Sequence, residues 1–177
     1  NKVFIACDTT SIKKVKKIID KTKTSKIKIG YKFGLEFINS KNGRKFLSKY
    51  NKNIIFLDLK LNDIPNTCVS TIKAVKDLNV NYITMHISSG LESLKSAKSV
   101  SGKTKILGVT TLTSLNNNSL KQIGFNREVK SLVIHQAKLA KKANLDGLVC
   151  SAKEVKSVKK FFKKEKEFIW WWVSITP

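Results

Sequence analysis

Short apolar runs of strand length alternate with helix-periodic stretches along this chain, and that alternation constrains the fold more than any other feature. Strands are expected at Lys2 to Cys7, Ser25 to Ile29, Ile54 to Leu59, Val80 to His86, Lys105 to Val109, Gly147 to Cys150 and Phe168 to Ile175. Helices are expected at Ile12 to Lys21, over most of Gly34 to Tyr50 with a break near Asn42-Gly43, and at Asn66 to Leu78. Three more are expected at Leu91 to Lys98, Val129 to Ala143 and Lys153 to Lys164. In the first helix Ile12, Val15, Ile18 and Ile19 share one face, the spacing of an amphipathic helix. Most of the strand runs are predominantly apolar instead of alternating, which fits strands covered on both faces and hence a parallel sheet. With 177 residues and 41% hydrophobic content, residues 1–177 are expected to form one domain with a real core.

Two α/β architectures meet that description, an open doubly wound sheet and a (β/α)8 TIM-type barrel. Asp8, Lys28, Asp58, Lys60, His86 and Thr113 fall at or near the C-terminal ends of five expected strands. Groups spread in this way converge at the rim of a barrel. An open sheet gathers its site at one switch point, usually beside a glycine-rich loop. The sequence has neither a GxGxxG nor a P-loop pattern, nor His/Cys spacing suited to a metal. A barrel is therefore expected, incomplete at its C-terminal end because only about seven strands can be counted. Its first and seventh strands would be open edges.

The string Phe56-Leu57-Asp58-Leu59-Lys60-Leu61-Asn62-Asp63-Ile64-Pro65-Asn66-Thr67 carries the chemistry. Residues two apart on a strand point to one face, so Asp58 and Lys60 are expected to project together. Asp63 follows just past the strand end, where Ile64-Pro65 opens a new element. Two carboxylates and an ammonium are thus crowded at a strand-to-helix junction. A lone Asp-x-Lys pair would be weak evidence, since exposed ion pairs are common and contribute little. The whole string is specific.

It resembles the signature of the orotidine 5′-monophosphate decarboxylase family. Ala6-Cys7-Asp8 is similar to that family's opening Ala-Leu-Asp, and Ile27-Lys28-Ile29-Gly30 to its second-strand Lys-Val-Gly. His86-Ile87-Ser88-Ser89-Gly90 is a looser likeness, whereas Val109 to Ser114 and Asp146 to Ala152 match closely. The resemblance spans roughly residues 3 to 155. It implies cofactor-free conversion of orotidine 5′-monophosphate to UMP in pyrimidine synthesis. Lys60 would stabilise and protonate the C6 carbanion, and Asp58 would hold the ammonium charged and oriented. Asp63 would enter the neighbouring subunit's site, which implies a homodimer. Asp8 and Lys28 would contact ribose hydroxyls, with Lys28 completing a Lys-Asp-Lys-Asp array, and Thr67 and Thr113 would hold substrate hydroxyl and base edges. His86 is expected to be a hydrogen-bonded rim residue, His135 to be structural, and Asp146 is assigned no role.

A sister group shares the Asp-x-Lys-x-x-Asp pattern but acts on sugar phosphates with a metal ion, as in hexulose-phosphate synthase. Those enzymes place an acid where Lys28 is aligned, and a lysine there would repel a hard divalent ion. Such a metal-dependent lyase is one alternative, and an inactive, non-enzymatic barrel fragment is another. The family's phosphate grip, a Thr-Pro-Gly-Ile-Arg loop and a later Gly-Arg, has only Ile175-Thr176-Pro177 as a partial counterpart. The chain is accordingly expected to be truncated and to show reduced activity or none, because binding of a remote phosphate supports the chemical step. Trp170-Trp171-Trp172 reads either as a bulky buried strand or as a damaged gene end.

The net charge of +23 raises the question of a polyanion partner. All but two of the 35 cationic residues are lysine, with only Arg44 and Arg127 as arginines. A nucleic-acid reader would be expected to use arginine forks, so the lysines read as solvated surface and no specific nucleic acid is expected. No apolar stretch reaches the roughly 18 residues of a membrane span. Cys7, Cys68 and Cys150 are odd in number and set among apolar residues, which fits reduced thiols in a cytoplasmic protein.

Overall fold

The computed structural model describes residues 2–50, 53–160 and 169–173. Seven strands form one sheet: β1 (Lys2–Ala6), β2 (Lys28–Gly34), β3 (Ile54–Leu61), β4 (Tyr82–His86), β5 (Lys105–Val109), β6 (Gly147–Ser151) and β7 (Ile169–Val173). They stand in chain order, and each pairs in parallel with the next. The connecting helices are α1 (Ile12–Lys21), α2 (Leu35–Ile38), α3 (Gly43–Lys49), α4 (Pro65–Ala74), α5 (Gly90–Val100), α6 (Asn117–Gln122), α7 (Val129–Lys142) and α8 (Ala152–Lys159). Sequential parallel pairing through helical crossovers is the repeat of a (β/α) barrel.

Local chemistry sets the helix starts. The Ser11 hydroxyl accepts from the Lys14 N–H and Asn116 Oδ1 accepts from the Ser119 N–H, each replacing a backbone partner the first turn lacks. Pro65 occupies the first turn of α4, where no backbone donor is needed.

The sheet separates two apolar layers. Tyr31, Phe33, Ile55, Leu57, Ile83, Met85 and Ile106 point outward and pack with Val15, Ile19, Ile72, Leu94 and Ala137 from the helices. Phe56, Tyr82, Leu107, Val109 and Val149 form the second layer with Phe4 and Ile54. Phe4 on β1 meets Tyr82 on β4 edge to face, with centroids 5.4 Å apart, although two strands lie between them in the sheet. That contact requires the sheet to curl, so the second layer fills a barrel interior. Gly30 makes room for it, because a Cβ there would sit 2.6 Å from the Phe4 ring.

Most expected elements recur within one or two residues, and the departures are informative. β2 runs to Gly34, well beyond Ile29 where it was expected to end. The helix expected over Asn66 to Leu78 stops at Ala74 and continues as a 3-10 turn at Lys76–Leu78. α6 has no counterpart in the sequence reading. The expected helix segment at 161–164, the ends of the last strand at 168 and 174–175, and Ile175-Thr176-Pro177 lie outside the described residues, as do the tryptophan side chains of β7.

Candidate active site

The inward face of β2, β3 and β4 changes character near the C-terminal ends of the strands. Gly30, Phe56 and Tyr82 face the aromatic interior, and two residues further along each strand stand Lys32, Asp58 and Thr84. Period two therefore places a polar layer directly on an apolar floor. Asp58 is the centre of that layer. Its Oδ2 accepts from the Lys60 ammonium at 2.6 Å and from the Lys32 ammonium at 3.3 Å, while Oδ1 accepts from the Thr84 hydroxyl at 2.9 Å. Lys32 reaches on to Asp8, 3.7 Å away in the loop after β1. The Asp58 side chain is only 13% exposed, whereas that of Asp8 is 68% exposed, so the Asp8 contact is the weaker and more screened of the two.

Burial pushes the Asp58 carboxyl pKa up. The Lys60 hydrogen bond and charge, the Lys32 charge and the Thr84 hydroxyl outweigh it and hold the group below the ordinary carboxylate value. Asp58 is thus an anion at neutral pH, and with Lys32 and Lys60 the trio carries one net positive charge. Burial and the Lys60 charge hold the His86 imidazole below its ordinary value, with Asp58 opposing. His86 ends β4 half-buried and is neutral near pH 7.

Lys60 does not sit in regular strand geometry. Its φ is +48°, in the left-handed region. Leu57 pairs with Ile83 and Leu61 with Met85, so Asp58, Leu59 and Lys60 span what Thr84 alone spans on β4. Such a bulge re-aims side chains. Asp58 and Lys60 do come together as their spacing predicts, through this irregular turn instead of simple alternation.

The structure corrects the placement of Lys28. That residue begins β2 and is exposed at the opposite end of the strand, paired in register with Lys2. Four residues of strand put it about 13 Å from Lys32. Lys32, which sequence reasoning missed, is the lysine that meets Asp58 and Asp8. The available signal was Lys32-Phe33-Gly34, a second Lys-apolar-Gly triplet directly after Lys28-Ile29-Gly30. Thr84 was missed as well, since a lone threonine inside a strand run gives no signal of its own.

The remaining expected site residues make none of the Asp58 contacts given above. Asp63 lies between β3 and α4 with its carboxylate exposed, accepting from the Ile64 N–H at 2.7 Å. Among the described residues no ion pair connects it to Lys60. Ser93 donates to the Asp63 carbonyl at 3.0 Å and fixes its backbone against α5. Thr67 is exposed in the first turn of α4, and Thr113 is exposed in the turn between β5 and α6. His135 is exposed on α7. Asp146 has a clear structural role at the other end of the sheet, accepting from the Lys98 ammonium at 2.6 Å and the Ile106 N–H at 2.8 Å. Among the described residues no group of three or more His, Cys, Asp or Glu side chains could hold a metal. No described helix is long and apolar enough to cross a membrane.

Fold and site together define a β/α barrel protein with a lysine–carboxylate array at the C-terminal rim of its strands. The chain belongs to the orotidine 5′-phosphate decarboxylase / HUMPS family, whose model it matches over residues 1–171. It is 45% identical over 163 residues to an orotidine 5′-phosphate decarboxylase of Wolbachia sp. subsp. Brugia malayi (strain TRS), covering 89% of this chain and 71% of the relative. A second, from Wolbachia pipientis subsp. Culex pipiens (strain wPip), is 47% identical over 142 residues, covering 78% of this chain and 62% of the relative. The crystal structure of orotidine 5′-phosphate decarboxylase from Lactobacillus acidophilus superposes with a TM-score of 0.84 at 30% identity, covering 95% of this chain and 78% of that one.

Proposed function

We propose that this site decarboxylates orotidine 5′-monophosphate to UMP, with residues 1–177 acting as one barrel-type domain. The observation that carries the reading is the Lys32–Asp58–Lys60 array, held half-buried on an apolar floor. Loss of CO2 from a pyrimidine C6 leaves a carbanion the ring delocalises poorly. A fixed ammonium stabilises that charge as it develops, then supplies the proton. Lys60 is that group, at 43% side-chain exposure and open to a ligand from the rim. Its proton goes to C6, and the neutral amine is recharged from solvent.

Asp58 keeps Lys60 charged and aimed. Lys32 and Asp8 take the ribose hydroxyls, and Thr67 and Thr113 take substrate hydroxyl and base edges. Asp63, exposed and without an ion pair to its own Lys60 among the described residues, is suited to enter the site of a second copy in a homodimer. The metal-dependent sugar-phosphate reading loses support at the same place, because the Lys32 ammonium beside Asp58 repels a divalent cation.

The test is UMP formation from orotidine 5′-monophosphate by this chain and by Lys60→Ala, each with and without EDTA. We expect turnover, reduced by the incomplete phosphate grip, that EDTA leaves unchanged and that falls by at least about 10²-fold in Lys60→Ala. Turnover of a sugar phosphate that EDTA abolishes would establish the metal-dependent lyase instead. Silence of both proteins would leave the non-enzymatic reading.

A further inference from the structure

We propose that Thr84 is a positioning residue for Lys60, acting through the β3 bulge; its catalytic part rests on the decarboxylase reading above. Thr84 is fully buried, and its hydroxyl makes two bonds whose directions are fixed by the partners. A backbone amide can only donate, so the Lys60 N–H donates to Thr84 Oγ1 at 2.9 Å. An ionised carboxylate can only accept, so Thr84 Oγ1 donates to Asp58 Oδ1 at 2.9 Å. One hydroxyl thereby clasps both ends of the three-residue excursion Asp58-Leu59-Lys60, opposite the point where the β3–β4 register slips.

The clasp has two effects. It holds Lys60 at φ +48°, a backbone state that side-chain-bearing residues rarely adopt unless their surroundings impose it. It also occupies Oδ1 of Asp58 and so leaves Oδ2 for the ammoniums of Lys60 and Lys32. The charged and titratable groups facing Asp58 are Lys60 on its own strand, Lys32 on β2 with Asp8 beyond it, and His86 on β4. The lysines only donate, Asp8 only accepts, and a neutral imidazole donates and accepts through different nitrogens, so none of these both donates to Oδ1 and accepts from the Lys60 amide through one atom. A threonine hydroxyl can, and so can a serine.

The test compares this chain with Thr84→Val, which keeps the shape and removes the hydroxyl, and with Thr84→Ser, which keeps the hydroxyl. Amide hydrogen exchange at Lys60 is expected to accelerate about tenfold in Thr84→Val and to stay near the parent rate in Thr84→Ser. In UMP formation, Thr84→Val is expected to lower kcat by about 10²-fold with little change in KM, and Thr84→Ser to restore most of it. Equal exchange at Lys60 in parent and Thr84→Val would overturn the proposal, as would a kcat loss that serine fails to rescue. A parent without turnover would overturn the decarboxylase reading by itself, and Lys60 exchange would still decide whether Thr84 holds the bulge. Should Thr84→Val not fold, Thr84→Cys, with its weaker hydrogen bonds, takes its place: faster Lys60 exchange and lower kcat than the parent are expected, and parent-like values of both would overturn the proposal.

Discussion

The Lys32 ammonium lies 3.3 Å from the Asp58 carboxylate, whereas Lys28 begins the same strand at its far end. Lys32→Ala is therefore expected to reduce kcat/KM for UMP formation by about 10²-fold or more, as loss of a preorganised charge at a reacting centre does. Lys28→Ala should leave it unchanged. Steady-state kinetics of the two variants side by side checks the assignment, and the reverse pattern would return the role to Lys28.

Backbone strain at Lys60 gives a stability prediction separable from catalysis. A left-handed backbone costs a side-chain-bearing residue roughly 1–2 kcal/mol, and glycine escapes most of it. Lys60→Gly and Lys60→Ala both delete the ammonium and should both be inactive. Urea unfolding should nevertheless find Lys60→Gly the more stable by about 1 kcal/mol. An alanine variant as stable as the glycine variant would show that the bulge relaxes once the lysine is gone.

Asp146 supports the sheet at the end opposite the site. It accepts from the Ile106 N–H and the Lys98 ammonium, while its own N–H donates to the Ile106 carbonyl at 3.0 Å. Asp146→Ala should cost about 1–3 kcal/mol of stability by orphaning the Ile106 donor. The kcat of the folded fraction should match the parent. A kcat loss without destabilisation would place Asp146 in the catalytic machinery.

The three free cysteines are buried. Burial pushes the Cys7 and Cys150 thiols up to about 11, helped by Asp8 and Glu154 respectively, and raises Cys68 as well. Native protein at pH 8 should react slowly with a thiol reagent and label all three sites only once unfolded. The linkage has a definite sign. A folded pKa raised above the unfolded value gives stability that is complete below the unfolded pKa and declines as pH rises through the folded one. Urea midpoints should therefore fall between about pH 9 and pH 11, and a Cys7→Ala/Cys150→Ala double variant should fall less. Equal slopes would assign the loss to other groups.

Much of this was legible in the sequence because hydrophobic runs and their lengths are local properties. β5 and α1 fall where their patterns begin and end, and Asp58 with Lys60 is plain from spacing. Lys32 was hidden by repetition: Lys28-Ile29-Gly30 and Lys32-Phe33-Gly34 present the same pattern, and only pairing with β1 and β3 selects between them. The Lys60 bulge depends on the β4 register, which no single strand contains. Thr84 draws its meaning from two partners 24 and 26 residues away. α6 is a short polar turn of helix, with Leu120 its only buried residue, too few to set up a period.

Among the described residues, every side chain bonded to the Asp58 carboxylate comes from β2, β3 or β4. Two adjacent ladders, Gly30–Gly34 against Ile54–Asp58 and Phe56–Leu61 against Tyr82–Met85, are enough to specify the array. The charges thus belong to a three-strand module, and closing a ring is not what sets their spacing. Sequence drift in the strands beyond β4 can alter what reaches the module while leaving its electrostatics in place, so gain or loss of a substrate need not pass through loss of the site.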